Sequence, residues 1–356
     1  MIIVNGNVLE GGGQILRLAI VISCILKKSI KIVNIRAGRK NPGLASQHLN
    51  GIQLAQNISG ASVSGLYIGS TEVEFHPSRL RAGNYSADTK TSGSIALLMQ
   101  VAMPLVLFCE SPSSLHLKGG TNAEYAPQID FTTEIFRPNL EKFGASFDFN
   151  LLHRGYFPKG GGHCRIDVRP VKFLQPIQLT LFGEISEIFG WSYVAGNLPI
   201  RMADQMMAGA KDAFKRIFPN ASIEIEAYKE SDNIATESGS GIIIGCRTTT
   251  NCVLGGSALG SRKEQSYETG KRAAVELIES LNKNSCVDTY VQDQLIIFMA
   301  LAKGESRIRC SSPLTMHTKT AIYIAELITD AKFNVFEQGQ CSIIECLGIG
   351  YENEFF

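Results

Sequence analysis

Residues 43–63, GLASQHLNGIQLAQNISGASV, decide the fold, because their arrangement returns twice further along the chain. Residues 127–147 read PQIDFTTEIFRPNLEKFGASF, and residues 313–333 read PLTMHTKTAIYIAELITDAKF. Counting back 17 residues from Gly60, Gly144 and Asp330 reaches Gly43, Pro127 and Pro313, so the three copies align without gaps. Each predicts a loop end and an amphipathic helix: Leu44–Ser59, Gln128–Phe143 and Thr318–Thr329. Upstream of each lies an almost wholly apolar helix: Gln14–Lys28, Ser92–Cys109 and Tyr290–Lys303. A short strand joins the two helices: Ile30–Arg36, Ser114–Lys118 and Ser306–Cys310. Further strands close each unit, among them Glu72–His76, His163–Val168 and Ser342–Cys346.

A helix that is apolar all round belongs in the middle of an assembly. The expected architecture is therefore α/β (α+β): three repeated βαβαββ-like units around a pseudo-threefold axis. That symmetry would focus three loops, AGRKNPG (37–43), GGTNAEYAP (119–127) and SSPLTMH (311–317), on one cleft. The stretch 185–282 breaks the rhythm and holds the single tryptophan, Trp191. It predicts a helix over Met202–Ile217, a strand over Ser222–Tyr228, a turn at SGSG (238–241), a strand over Ile242–Cys246 and a helix over Glu264–Leu281. We read 185–282 as a small inserted α/β domain between the second and third repeats, and 1–184 with 283–356 as the large domain.

Bulk properties bound the function. The 356 residues are 44% hydrophobic and 19% charged, with a net charge of +1. No uniform field draws such a chain onto nucleic acid, so any grip on it must be local. The apolar runs Ile15–Leu26 and Ile95–Phe108 fall short of the roughly 20 residues of a bilayer span. The nine cysteines include no CxxC pair, which argues against zinc-ribbon or thioredoxin chemistry. With no basic leader at the start, reduced thiols in the cytosol or nucleus are expected.

Four groups of residues carry candidate chemistry. In Glu10-Gly11-Gly12-Gly13-Gln14, glycines ahead of a helix let backbone amides converge on an anion, and Glu10 suits a divalent metal beside phosphates. Arg17 follows one turn into an apolar helix, where a cation is costly without an anion; a glycine turn with a salt-bridged arginine is the plainer reading. Arg36, Arg39 and Lys40 gather before the second helix, which opens with Gln47 and His48, and guanidinium forks suit phosphate oxygens. His317 sits opposite Gln47 in the repeat alignment, at a helix start that disfavours imidazolium and leaves the ring nucleophilic. His48 is its one rival. Gln100 and the pair Asp293–Gln294, just after Tyr290, interrupt apolar helices. They serve either buried hydrogen bonds or a nucleotide pocket in which Tyr290 stacks on a base. The glycine-rich loop Arg154–Gly162 reads equally as a plain turn or as part of an RNA path.

Together, EGGGQILR (10–17), IRAGRKNPGLASQHL (35–49), GGT…AP (119–127), GYFPKGGG (155–162), YVQDQL (290–295) and LTMHTKTAI (314–322) resemble the RNA 3'-terminal phosphate cyclase family, its eukaryotic branch in particular. The resemblance runs along nearly the whole chain. It implies a large domain of three repeats with a small insert. It implies ATP and Mg²⁺ (or Mn²⁺) as cofactors, RNA 3'-phosphate ends as partners and the nucleus as location. It further implies that His317 accepts AMP and that Arg17, Arg36, Arg39 and Gln47 serve the phosphates and catalysis. Glu10 would stand near the metal, and Gln100, Pro127, Tyr290, Asp293 and Gln294 would form the nucleotide pocket. The opening NGN (5–7) departs from the acidic Asp-Gly of bacterial members. Two other readings compete. One is a non-catalytic cyclase-like protein of ribosome assembly that binds rRNA, though such relatives lack the histidine. The other is an enolpyruvyl-type carboxyvinyl transferase built on repeated α/β units.

Overall fold

The computed structural model describes residues 1–235 and 237–356. Three of its four sheets share one strand order. In the first, β1 (Ile2–Asn5) lies parallel to β2 (Ile30–Val33), which pairs antiparallel with β4 (Val73–His76), itself edged by β3 (Ser62–Ser64). Helix α1 (Gly13–Leu26) connects β1 to β2, and α2 (Ser46–Ser59) connects β2 to β3. The second sheet repeats this with β5 (Asn84–Asp88), β6 (Ser113–Gly119), β8 (Gly162–Val168) and β7 (Phe147–His153). The third uses β9 (Gln178–Leu179), β14 (Glu305–Ser311), β16 (Cys341–Leu347) and β15 (Lys332–Gln338). Each unit thus runs β-α-β-α-β-β, as the repeats predict.

The crossover helices of the second and third units are α3 (Ile95–Val106) and α8 (Val291–Leu301). Their partners are a composite helix in the second unit and α9 (Met316–Ile328) in the third. The composite helix joins α4 (Ile129–Phe131) to α5 (Arg137–Glu141) through a π-helical turn at Thr132–Phe136. Pro138 is the physical reason: with no N–H, and a ring that would strike the carbonyl one turn back, it forces the preceding turn wide. Packing around the units is cyclic. Helix α2 lies on α3, α5 on α8, and α9 on α1, so each unit's second helix meets the first helix of the next. The apolar first helices are buried at the centre; Ile15, Ile20, Ile22, Met99, Ala102, Ile296 and Met299 are closed to solvent.

The interrupting stretch forms the fourth sheet, ordered β11 (Ile223–Lys229), β10 (Ile185–Ala195), β12 (Gly239–Thr248), β13 (Val253–Leu259). Helices α6 (Arg201–Ile217) and α7 (Ser266–Asn282) pack side by side. Because β9 belongs to the third sheet, the stretch enters within the third unit, between its first strand and first helix, rather than between units. The expected turn at SGSG is also corrected: Gly239–Gly241 belong to β12 and pair with Tyr193–Ala195. These glycines admit aromatic rings: a Cβ on Gly239 would lie 2.5 Å from the Tyr156 ring, and one on Gly241 2.6 Å from the Tyr193 hydroxyl. Buried Arg154 fastens this sheet to the second unit, donating to Asp130 at 2.5 and 3.0 Å and to Glu230 at 2.9 Å. None of the nine cysteines is disulfide-bonded. Among the described residues, no helix is long and apolar enough to cross a membrane.

Candidate active site

A cleft of about 750 Å³ is lined by the first turns of α1, α3, α8 and α9, the loop 123–128 and residues 257–261, at and just after the end of β13. Arg17, Gln100, Pro127, Tyr290, Asp293, Gln294 and His317 all line it. Two of the three expected loops, 119–127 and 311–317, contribute to the wall. The third, 37–43, does not, and reaches the site only through Arg39.

The end of the cleft at the start of α8 is held by a buried carboxylate. Asp288 accepts the amides of Tyr290 and Val291 at 2.9 and 2.8 Å, capping α8, and that of Gly255 at 2.9 Å, tying the fourth sheet to the helix. Tyr290, half exposed, meets Phe131 edge-on with ring centroids 5.9 Å apart. Gln294 donates to the Tyr290 carbonyl at 2.8 Å, within its own helix. Gln100 accepts from Arg17 Nε at 3.0 Å, so the two interrupting polar groups on α1 and α3 satisfy one another. Burial pulls the Arg17 guanidinium down to about 10 against the attraction of Asp293 and Glu10. Burial likewise lifts Asp293 to about 7, opposed by Arg17.

His317 stands on the first turn of α9, whose N-cap Thr315 accepts the Thr318 amide at 3.1 Å. Its Nδ1 lies 2.8 Å from Gln14 Oε1, and Gln14 Nε2 donates to Asp293 Oδ2 at 2.6 Å. The carboxylate fixes which way the carboxamide faces. With Asp293 ionised and accepting from Gln14 Nε2, Oε1 faces the ring and can only accept, an arrangement that selects the His317 tautomer with its proton on Nδ1 and a free lone pair on Nε2. Burial holds the imidazole below its usual range; Glu10 resists, while Arg17 and Arg39 push the same way as burial. The ring is neutral, oriented and open to the cleft.

Glu10 is pinned by Arg39, which donates to its carboxylate at 2.5 Å and its carbonyl at 3.0 Å; the Glu10 amide donates to Thr320 Oγ1 at 3.1 Å. Its Oε2 is buried without a hydrogen-bond partner among the described residues. Gly12 makes this pose possible, since a Cβ there would lie 2.1 Å from Glu10 Oε1. No cluster of three or more His, Cys, Asp or Glu residues suited to a metal occurs among the described residues. Glu10 thus suits a cation whose other ligands come from phosphate and water.

Arg36 lies off the expected strand end. Strand β2 stops at Val33, and Asn34 (φ 54°) and Arg36 (φ 52°) turn the chain through left-handed conformations. Arg36 donates to the Gly43 carbonyl at 2.8 Å. Gln47 is engaged by the Ser94 backbone, accepting its amide at 3.1 Å and donating to its carbonyl at 3.4 Å, and lines a small neighbouring cavity with Arg17 and Leu97 rather than the cleft itself. The rival His48 is structural: its Nδ1 accepts the Ala45 amide at 3.1 Å. Burial, with Arg36 and Arg17 adding, pushes that ring down to about 3. Gln14 bridges His317 and Asp293, a position that sequence reasoning did not assign it, although a polar side chain in an apolar helix is the signal that exposed Gln100 and Asp293. Arg272 and residues 257–261 were also missed, because a bland Ser-Ala-Leu-Gly-Ser run carries no chemical signature.

Three comparisons bear on this geometry. The family model for RNA 3'-terminal phosphate cyclase matches residues 8–335. The RNA 3'-terminal phosphate cyclase of Drosophila melanogaster is 42% identical over 355 residues, covering 99% of this chain and 98% of the relative. That of Pyrobaculum aerophilum is 39% identical over 348 residues, covering 98% of each. Among solved structures, the enolpyruvyl transferase NikO from Streptomyces tendae overlays 97% of this chain and 81% of its own at 10% identity, with a TM-score of 0.21, too low to bear on fold or function.

Proposed function

The chain belongs to the RNA 3'-terminal phosphate cyclase family, and on that premise we propose that it converts an RNA 3'-phosphate into a 2',3'-cyclic phosphodiester at the expense of ATP. The observation that carries this reading is the Asp293–Gln14–His317 chain, which presents a free Nε2 lone pair to a nucleotide-sized cleft.

His317 Nε2 attacks the α-phosphorus of ATP, the P–O bond to the β-phosphate breaks, and pyrophosphate leaves. An oxygen of the RNA 3'-phosphate next attacks the histidine-bound phosphorus. The P–N bond breaks and an RNA(3')pp(5')A end forms. The neighbouring 2'-hydroxyl then attacks the RNA phosphorus, loses its proton and expels AMP. Covalent relay through a nucleophile divides one difficult dehydration into easier transfers. The last step needs a ribose, which makes RNA ends the substrate. Arg17 and Arg39 flank His317 and suit the charge on phosphate oxygens. Tyr290 and Pro127 suit the faces of a base, and Asp293 and Gln294 its edges or ribose. The unpartnered Oε2 of Glu10 fits one ligand position on Mg²⁺ or Mn²⁺, which when bound neutralises phosphate charge.

His317→Ala is expected to abolish transfer of label from α-labelled ATP to the protein while leaving the melting temperature unchanged. Retained labelling in that variant overturns the proposal.

A further inference from the structure

Adenylation fills one side of His317 with nucleotide, so the RNA end must reach the histidine from another side. Loop 37–43 occupies the flank next to Glu10, reaching it through Arg39. A second turn lies against this loop. Gly69 donates to the Leu44 carbonyl at 2.8 Å, Leu44 donates to the Ser70 carbonyl at 3.0 Å, and the Ser70 amide closes the turn on Tyr67 at 3.1 Å. The contact is close enough that a Cβ on Gly43 would fall 2.2 Å from the Gly69 oxygen. At the tip, Tyr67 and Ile68 stand 63% and 60% exposed, side by side in sequence. On the loop this turn packs against, Arg36, which donates to the Gly43 carbonyl at 2.8 Å, and Lys40 pair with no carboxylate among the described residues, and Glu72 is held by Lys31 at 3.4 Å.

An exposed aromatic beside unpaired cations matches the chemistry of single-stranded nucleic acid, whose bases stack while its phosphates seek charge. We propose that Tyr67, with exposed Ile68 next to it in the turn, is a stacking platform for unpaired RNA bases behind the terminal phosphate, with Lys40 and Arg36 holding the intervening backbone. The inference rests on the cyclase reading. It commits the substrate to an unpaired 3' end, because a base within a duplex has no free face to offer. It also fits a chain with a net charge of only +1, which must grip RNA at a point rather than along a surface.

The test is steady-state cyclisation of a short single-stranded RNA 3'-phosphate. Tyr67→Ala should raise KM for RNA by about five-fold to about a hundred-fold, the range for loss of one base–aromatic stack, with kcat little changed. Tyr67→Phe should retain the wild-type KM. Adenylation by ATP alone should be identical in all three proteins. Lys40→Ala should weaken RNA binding with a shallower salt dependence, whereas Tyr67→Ala should leave the salt slope as it was. An unchanged KM in Tyr67→Ala overturns the platform, and assigns the exposed pair to some other partner. Failure of the wild-type protein to adenylate would instead overturn the cyclase reading.

Discussion

Gln14→Leu isolates the contribution of the tautomer. Leucine fills similar space on α1 but removes both the acceptor 2.8 Å from His317 Nδ1 and the donor 2.6 Å from Asp293. The lost acceptor removes about 1 kcal/mol of preference for the Nδ1–H form, rising to about 1.5 kcal/mol for a well-shielded bond. That corresponds to a roughly five- to tenfold shift in the ratio of the two tautomers against the form with a free Nε2 lone pair, to which lost orientation of the ring adds. The adenylation rate constant at saturating ATP should therefore fall about tenfold or more. KM for ATP should change less than the rate constant, because Arg17, Pro127 and Tyr290 are untouched and only Asp293 of the pocket loses a partner. Single-turnover label transfer measures the rate constant, and nitrogen NMR of the imidazole reports the tautomer directly. A variant that adenylates at the wild-type rate, or a wild-type ring protonated on Nε2, refutes the relay.

Two further expectations follow from the charges. Arg17 is one of the cations holding His317 below its usual range, so Arg17→Gln should raise the folded pKa of the ring. Adenylation needs the neutral ring and fails as pH falls through that pKa, so the acid limb of the pH–rate profile should move to higher pH; a limb that stays put or moves down removes Arg17 from the account. Arg154→Leu strands the carboxylates of Asp130 and Glu230, whose side chains are 24% and 14% exposed, and should cost about 3 kcal/mol by denaturant unfolding. Adding Asp130→Asn and Glu230→Gln should restore most of the loss; if it does not, the ion pairs are not the cause.

The repeats were legible because burial leaves a periodic signature. Three apolar helices and three ungapped loop-helix copies need only counting, and they give the order of elements in each unit, though not the order of strands in each sheet. Local signals failed where the reason was tertiary. Gly239 and Gly241 look like turn residues, yet they are glycines because tyrosine rings press on the strand from outside it. Strand β9 is two residues long and has no pattern of its own; only its pairing with Arg307 and Ile308 reveals that the third unit begins before the interruption. In the site, charged or polar residues inside apolar helices were visible as anomalies, but which group each would meet was not. Gln100 and Arg17 turned out to answer one another. Gln47 went to the Ser94 backbone, a partner that leaves no trace in composition.

The cyclic helix packing creates three equivalent seams, and the aligned residues 47, 131 and 317 each touch the start of the next unit's first helix: Gln47 at Ser94, Phe131 at Tyr290, His317 at Gln14. One seam is a rivet, one a wall for an aromatic ring, and one the proposed reactive centre. The reactive seam is the one that joins the opposite ends of the polypeptide, with Glu10, Gln14 and Arg17 brought to a histidine 303 positions downstream of Gln14. On the proposed mechanism the site is therefore incomplete until the third unit has been made and has packed against the first.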